Sequence, residues 1–321
     1  MVEKNFVHKT DIHSALRVWI NAHKAGSPTD SSVYWIHFRP IEIAKAFFEV
    51  SGHRVSHGVI KRELADMGFK YRKLSKNLAT GTCPDRQQQF HIICQLILMM
   101  SLNSPIISID CKKKEVIGNL YREGKCYMQG AVEVYDHDYS HLATGKVIPH
   151  GIYDLLHDEA YITIGNSHET AEFIMDNLLW WWETHGIHHY PDAQNILILC
   201  DAGGGNSYRH HAFKKKMLEL AHLIGKNLII CHYPPYASKW NPIEHRLFAH
   251  VHRAMQGVVF SNYLIIKELI EKTTTTTGLK VFVRIVDKQY DIGIKTDKSQ
   301  VDSDRIFYNT ALPKLSYQIR T

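Results

Sequence analysis

The chain has 321 residues, 45% of them hydrophobic and 22% charged, so it is long and apolar enough for about two globular domains. No apolar run is long enough to cross a membrane, and no signal sequence is visible. The net charge of +6 falls in residues 1–104, which hold 14 Lys and Arg against 8 Asp and Glu. This excess favours a nucleic-acid partner for that part of the chain.

Cysteine and histidine spacing gives little support for a structural metal. The six cysteines are scattered, without a C-x-x-C pair, which argues against a zinc ribbon or a disulfide scaffold and fits a reduced, cytoplasmic compartment. The 22 histidines include one pair at i, i+4, His53 and His57, but no second pair with zinc-finger spacing. We therefore expect no structural zinc site.

Residues 40–68 have the pattern of two short helices joined by a turn. Pro40 suits a first helical turn, an apolar stripe at helical spacing follows, and Gly52 ends the first helix. Ser56 is placed to cap a second helix that ends at Gly68. The outward face of that second helix carries three polar residues, His57, Lys61 and Arg62. The pattern predicts a helix-turn-helix whose second helix lies in a DNA major groove, and an ordinary αα-hairpin with a solvated polar face is the alternative.

The character of the chain changes after a polar, basic linker at residues 69–83. We therefore expect a DNA-binding region with its linker at 1–83 and a second domain with a C-terminal extension at 84–321. Strand-like segments lie at 105–110, 126–136, 147–164, 195–201 and 227–235, and helices at 167–186, 209–225 and 241–257. This order of elements predicts an α/β, RNase H-like fold, a mixed five-stranded sheet flanked by helices.

Three acids stand where a catalytic metal site would need them. Asp110 and Asp201 end apolar strands, and Glu244 lies in the first turn of the helix that follows the next strand. Carboxylates that meet at the carboxyl edge of a sheet suit Mg²⁺ or Mn²⁺. Two such ions about 3.5–4 Å apart can stabilise the attacking and leaving oxygens of a phosphoryl displacement. Alternatively, each aspartate is a turn residue and Glu244 completes a capping box with Asn241 and Pro242.

Further residues around these acids are candidates for DNA contact or support. Gly203–Gly205 lack the lysine and serine or threonine of a nucleotide-binding loop, so we interpret them as clearance for a DNA backbone beside Asp201. His245 is a candidate to orient the Glu244 carboxylate, with helix capping or packing as the alternative. The candidate DNA contacts are Lys112, Lys113, Lys114, Asn206, Arg209, Lys239 and Trp240. A solvated charged face is the alternative for the lysine run, and core packing is the alternative for Trp240.

Three blocks around the acids, "ISIDCKKKEVIGNLY", "LILCDAGGGNSYR" and "CHYPPYASKWNPIEHRLFAHV", closely resemble the catalytic blocks of Rhodopirellula-type DDE transposases, a family of bacterial insertion sequences. The resemblance covers roughly residues 28–318 and includes "HRVSHGVIKREL", "CPDRQQQF", "IPHGIYDL" and "TTTTTGLKV". It implies an RNase H-like catalytic domain in which Asp110, Asp201 and Glu244 form the metal-binding triad. Cys111 departs from the family, where threonine is more usual.

The resemblance also implies a function. The protein is expected to cut inverted-repeat transposon ends and transfer them into target DNA with Mg²⁺ or Mn²⁺, using two ions. Pairing of two ends implies a homodimer or larger assembly, in the bacterial cytoplasm and on the nucleoid when bound to DNA. Two alternatives stay open: an RNase H-like nuclease or resolvase that cuts without joining, and an inactive DNA-binding remnant truncated at its N-terminus.

Overall fold

The computed structural model describes residues 9–26, 34–72, 83–100, 103–207, 209–235, 237 and 240–321. The chain divides into two compact units, 1–78 and 79–321, with the division inside the segment that we interpret as a linker. Within the described ranges, no helix is long and apolar enough to span a membrane.

The first unit is a small helical bundle. Its elements are α1 (Lys9–Ala22), β1 (Ala25–Gly26), β2 (Tyr34–Trp35), α2 (Pro40–Ser51) and α3 (His57–Asp66). The two helices expected between residues 40 and 68 are α2 and α3, and the Ser56 hydroxyl caps α3 by accepting a hydrogen bond from the Val59 N–H at 3.4 Å. The sequence pattern missed α1, which contributes Leu16 and Ile20 to the buried core.

A buried charge ties α1 to α3 in this unit. The Glu63 carboxylate accepts a hydrogen bond from Arg17 Nε at 2.6 Å and lies 2.6 Å from His13 Nδ1. The hydrogen bond from Arg17 keeps the pKa of Glu63 below its usual value. Because the Glu63 side chain is buried, it does not contribute to the exposed face of α3, which carries other polar residues.

The second unit is built on one large mixed sheet. Its strands are β3 (Ile106–Cys111), β4 (Glu115–Ile117), β5 (Gly145–Asp154), β6 (Glu159–Gly165), β7 (Asn195–Cys200), β8 (Asn227–His232), β9 (Lys280–Val286), β10 (Ile306–Tyr308) and β11 (Ser316–Ile319). Their order is β10-β11-β8-β7-β3-β5-β6-β9, and β4 pairs with β5. Strand β5 runs antiparallel to both of its neighbours, β3 and β6. On the other side of β3, strands β7 and β8 run parallel to it.

Helices cover both faces of the sheet. They are α4 (Arg86–Met99), α5 (Ala171–Trp181), α6 (Ile187–His189), α7 (His211–Ile224), α8 (Ala249–Ala254) and α9 (Tyr263–Glu271), with π-helical turns at Trp182–Gly186 and Glu244–Phe248. Helices α5 and α7 share a core with Ile107 and Ile109 of β3, whereas α8 and α9 pack on the other face against β5 and β6. The strands are therefore buried on both faces, which explains their unbroken apolar sequences.

The sheet contains five strands in the order of an RNase H-like fold and extends beyond them, but the segment predicted as one strand at 147–164 supplies two of the five, β5 and β6. The antiparallel trio is β3, β5 and β6, and β7 and β8 follow in parallel. Additional strands β9, β10 and β11 lengthen both edges. The strand predicted at 126–136 is wrong. That segment is largely exposed and makes only one isolated bridge, between Tyr135 and Leu120.

Candidate active site

Asp110 and Asp201 meet at the carboxyl edge of the sheet because their strands are parallel neighbours. Ile109 of β3 pairs with Cys200 of β7, so the residue after each of them lies at the same level. Asp110 is only 8% exposed, and its Oδ1 accepts a hydrogen bond from the Cys111 N–H at 2.7 Å. Asp201 Oδ1 accepts one from the Gly203 N–H at 3.1 Å. Both carboxylates are thus oriented by the backbone that follows them.

Glu244 reaches this edge because the start of its helix is fastened to β3. Ser108 Oγ donates to Asn241 Oδ1 at 2.5 Å, and Asn241 Nδ2 donates to the Ile109 carbonyl at 3.2 Å. The Ile243 N–H in turn donates to Ser108 Oγ at 3.1 Å. The capping-box alternative for Asn241 is therefore wrong, since its side chain bonds to β3 instead. Glu244 opens a π-helical turn, an irregularity that is frequent at functional sites.

The three carboxyl groups interact strongly. Burial is the main cause that raises the pKa of Asp110 well above its usual value, and the negative charges of Asp201 and Glu244 raise it further, together with a hydrogen bond to Glu244. An uncompensated cluster of this kind is costly to keep ionised. Its donors are all carboxylate oxygens, the ligands that Mg²⁺ and Mn²⁺ prefer, so the cluster fits a divalent cation.

A fourth carboxylate, Glu169, lies beside the cluster and was missed by the sequence reasoning. It accepts hydrogen bonds from the Gly205 N–H and from the Cys111 thiol, and burial raises its pKa. The sequence predicts a helix from residue 167, but α5 begins only after Thr170, whose hydroxyl accepts a hydrogen bond from the Phe173 N–H. Glu169 is therefore a loop residue, and no spacing in the sequence relates it to Asp110 or Asp201.

The glycines after Asp201 make room for the protein itself. Gly204 has φ of 53°, and a Cβ there would lie 2.4 Å from Glu169 Oε1. A Cβ on Gly205 would lie 2.8 Å from Ile174 Cδ1. For these two glycines, the interpretation as clearance for DNA is corrected: they let the loop approach Glu169 and α5.

Two candidate DNA contacts are not placed as expected. Lys112 is buried and forms an ion pair with Glu115, which also receives a hydrogen bond from Arg122, so its ammonium does not face a DNA backbone. Asn206 is 1% exposed, and its buried Oδ1 has no hydrogen-bond partner among the described residues, so it does not contact a phosphate directly. Both belong to the interior because β4 pairs with β5 and the 204–206 turn packs against α5.

The other candidates lie at the surface where the structure describes them. Exposed residues are His57, Lys61 and Arg62 on α3, Lys113 and Lys114 after β3, Arg209 before α7, and His245 beside Glu244. Trp240 is 53% exposed and packs edge-on against Phe90 at 6.0 Å between ring centroids. Lys239 lies outside the described residues.

A cleft of about 760 Å³ opens next to the acids. Glu169, Gly204 and Gly205 line one side, where the cleft meets the candidate active site. Basic side chains line it along α7 and the loop before it, namely Arg209, His210, His211, Lys215 and Lys216.

Comparison with known proteins identifies the family. The model of the Rhodopirellula transposase DDE domain matches residues 15–321. No curated protein matches the chain. Among solved structures, the Mos1 transposase paired-end complex with left transposon end is 14% identical, with a TM-score of 0.47 over 81% of this chain and 70% of that chain. The mariner Mos1 paired end complex with Mg is 13% identical, with a TM-score of 0.46 over 85% and 72%.

The family model spans all of the catalytic unit, residues 79–321, and most of the helical unit before it. Its members are DNA-processing enzymes of the polynucleotidyl transferase or endonuclease class that use divalent metals. The chain therefore belongs to the Rhodopirellula transposase DDE-domain family.

Proposed function

We propose that the protein cleaves the ends of its own transposon and joins them to target DNA, with Asp110, Asp201 and Glu244 holding the catalytic metal. The observation that carries the proposal is the convergence of these three carboxylates on one sheet edge, beside a cleft with basic residues along its α7 side. Two divalent ions bound there would stabilise the attacking and leaving oxygens of an in-line phosphoryl displacement.

The chain's own residues position this centre. Asn241 and Ser108 fix Glu244 against β3, and Glu169 fastens the loop that follows Asp201. The thiol of Cys111 donates a hydrogen bond to Glu169. Cysteine in place of the threonine that is more usual in the family therefore still provides a hydrogen-bond donor at this position. We propose that Lys113, Lys114 and Arg209 with the cleft lysines hold the DNA backbone, and that Trp240 stacks on an unpaired base.

The direct test uses labelled DNA that carries the element's own ends, with Mg²⁺, Mn²⁺ or Ca²⁺. We expect nicking and joining with Mg²⁺ or Mn²⁺, and loss of both products in Asp110→Ala, Asp201→Ala and Glu244→Gln. Asp192→Asn is a matched control, because Asp192 is an exposed acid before β7, at the other end of that strand. Activity that persists in any of the three variants would overturn the triad.

The products separate the transposase from its two rivals. A nuclease or resolvase would give cut ends without joined product. An inactive remnant would bind DNA as well after Asp201→Ala as before, with no cleavage by the parent. Two labelled ends recovered in one complex, with the mass of at least two protein chains, would support the expected homodimer or larger assembly, which we place on the nucleoid.

The helical unit is proposed to read the transposon end through α3. His57, Lys61 and Arg62 share its exposed face, as a recognition helix requires. In Lys61→Ala/Arg62→Ala we expect binding to the ends to weaken about tenfold or more, and the slope of log affinity against log salt to become shallower by about one per lost phosphate contact. Fluorescence anisotropy at several salt concentrations measures both.

Lys45→Ala removes an equally exposed lysine from α2 and serves as the control for this prediction. Equal affinities and equal salt slopes for the α3 double variant and this control would contradict the role of α3.

A further inference from the structure

A second cluster of metal-binding side chains lies away from the acids. Asp154 ends β5, His157 follows in the turn to β6, and His189 ends α6. Each offers one ligand atom, and the three atoms all lie within 4.8 Å of one another. This cluster is not predictable from spacing, because His189 is 32 residues from His157 and no zinc-finger pattern joins the three residues.

The cluster is separate from the candidate active site. Asp110 pairs with Gly151 across the β3–β5 ladder, and Asp154 lies three residues further along β5, about 10 Å away along the strand. Asp154 pairs with Ile107 and so shares the face that α5 and α7 cover, whereas Asp110 lies on the opposite face. An ion at one place does not contact the ligands of the other.

The spacing of one donor pair is that of two ligands of a single ion. Asp154 Oδ2 lies 3.2 Å from His157 Nδ1. In a tetrahedral site with bonds of about 2.0–2.1 Å, neighbouring ligand atoms are about 3.3 Å apart. The imidazoles of His157 and His189 stand edge-to-face, with centroids 4.3 Å apart, so the two rings are in direct contact.

The surrounding groups orient these ligands. Asp154 Oδ1 accepts hydrogen bonds from the backbone N–H groups of Leu156 and His157, and Tyr190 OH lies 2.8 Å from both carboxylate oxygens. Glu159 Oε2 lies 3.7 Å from His189 Nε2, so a further carboxylate flanks this imidazole.

The solvent exposure of the three side chains suits an ion that can exchange with solvent. The Asp154 side chain is 1% exposed, whereas His157 and His189 are 38% and 26% exposed. One charged ligand is thus held firmly inside, and two imidazoles open towards solvent, from which an ion can enter and water can complete its coordination.

We propose that Asp154, His157 and His189 bind a divalent late transition metal of the zinc type, in a structural site distinct from the catalytic one. Two imidazoles with one carboxylate favour Zn²⁺, Co²⁺ or Ni²⁺ over Mg²⁺, which takes oxygen ligands. The ion joins the β5–β6 turn to the end of the α5–α6 segment. It stabilises the fold at the sheet end remote from the acids and leaves DNA chemistry to the catalytic metal.

The test titrates the full-length protein, without a histidine tag, with Zn²⁺ or Co²⁺ in excess Mg²⁺. We expect one equivalent to bind, a rise in melting temperature, and visible Co²⁺ absorption bands without the near-ultraviolet thiolate band that cysteine ligands give. His157→Gln and His189→Gln should each weaken binding by about tenfold or more. His188→Gln, on the same short helix and exposed, should bind as the parent does.

A variant of the candidate active site distinguishes Zn²⁺ binding at the two sites. In Asp110→Asn/Asp201→Asn, Zn²⁺ binding should be retained with unchanged affinity. Unchanged binding in both His157→Gln and His189→Gln, the appearance of a thiolate band, or loss of binding in the Asp110→Asn/Asp201→Asn protein would overturn the proposal, as would a parent that binds no Zn²⁺ saturably.

Discussion

Asp110→Asn is expected to stabilise the metal-free protein while it abolishes metal-dependent DNA cleavage. Burial and the charges of Asp201 and Glu244 raise the pKa of the Asp110 carboxyl. A carboxyl whose pKa is higher in the folded than in the unfolded state weakens the fold above the unfolded pKa, because ionisation costs more in the folded protein. Removing that charge should add about 1–2 kcal/mol, a rise in melting temperature of about 2–8 °C.

The stabilisation by Asp110→Asn should depend on pH. For metal-free parent protein, the destabilisation is absent below the ordinary aspartate pKa of about 4 and grows as the pH rises towards the raised value. The difference in melting temperature between parent and Asp110→Asn should therefore widen from acidic to neutral pH. Scanning fluorimetry in chelator over this range measures it, with Asp192→Asn as a control that should follow the parent.

Added Mn²⁺ completes the test, because an ion that binds only the folded state stabilises it. We expect Mn²⁺ to raise the melting temperature of the parent and to have a smaller effect on Asp110→Asn. If the variant melts at or below the temperature of the parent without metal, or if Mn²⁺ stabilises both proteins equally, the carboxylates do not form the metal site.

Local sequence was enough to find Asp110, Asp201 and Glu244 as candidates, because each marks the end of an apolar strand or the start of a helix. The same reasoning predicted the mixed sheet, since buried strands and amphipathic helices have distinct periodicities. It could not find Glu169, which reaches the site only because α5 starts after Thr170 and the glycine loop folds towards it. Contacts between distant segments leave no periodic trace.

Charge predicted DNA-contacting residues less well than periodicity predicted strands and helices. Lys112 stands in a run of three lysines, and such a run ordinarily indicates a solvated face. Its burial depends on Glu115 and on Arg122, which approaches Glu115 from the loop after β4. Asn206 likewise follows a glycine run that indicates an open loop, yet the 204–206 turn packs against α5. In both cases the tertiary structure decides whether a polar residue is available for DNA.

Asn241→Ala is expected to slow cleavage by roughly ten- to a hundredfold and to lower stability by about 2–4 kcal/mol, because it removes two hydrogen bonds and leaves buried groups on β3 unpaired. Asn241 is fully buried, and its amide joins Ser108 Oγ to the Ile109 carbonyl, beside Asp110. Without it, the helix start that carries Glu244 loses its attachment to the strand that carries Asp110, and the carboxylates separate.

A double-mutant cycle with Ser108→Ala distinguishes this positioning role from a general loss of stability. The Ser108 hydroxyl and the Asn241 amide share one hydrogen bond. The effects of the two substitutions on the free energy of unfolding should therefore be non-additive by about 0.5–3 kcal/mol. Cleavage should be measured well below the melting temperature of each variant, together with DNA affinity by anisotropy. We expect DNA affinity to stay at the parental level while the cleavage rate falls and the Mn²⁺ concentration for half-maximal rate rises. A normal rate per folded molecule with unchanged Mn²⁺ dependence would mean that Asn241 supports only the fold, because Glu244 would then keep its place beside Asp110 without it.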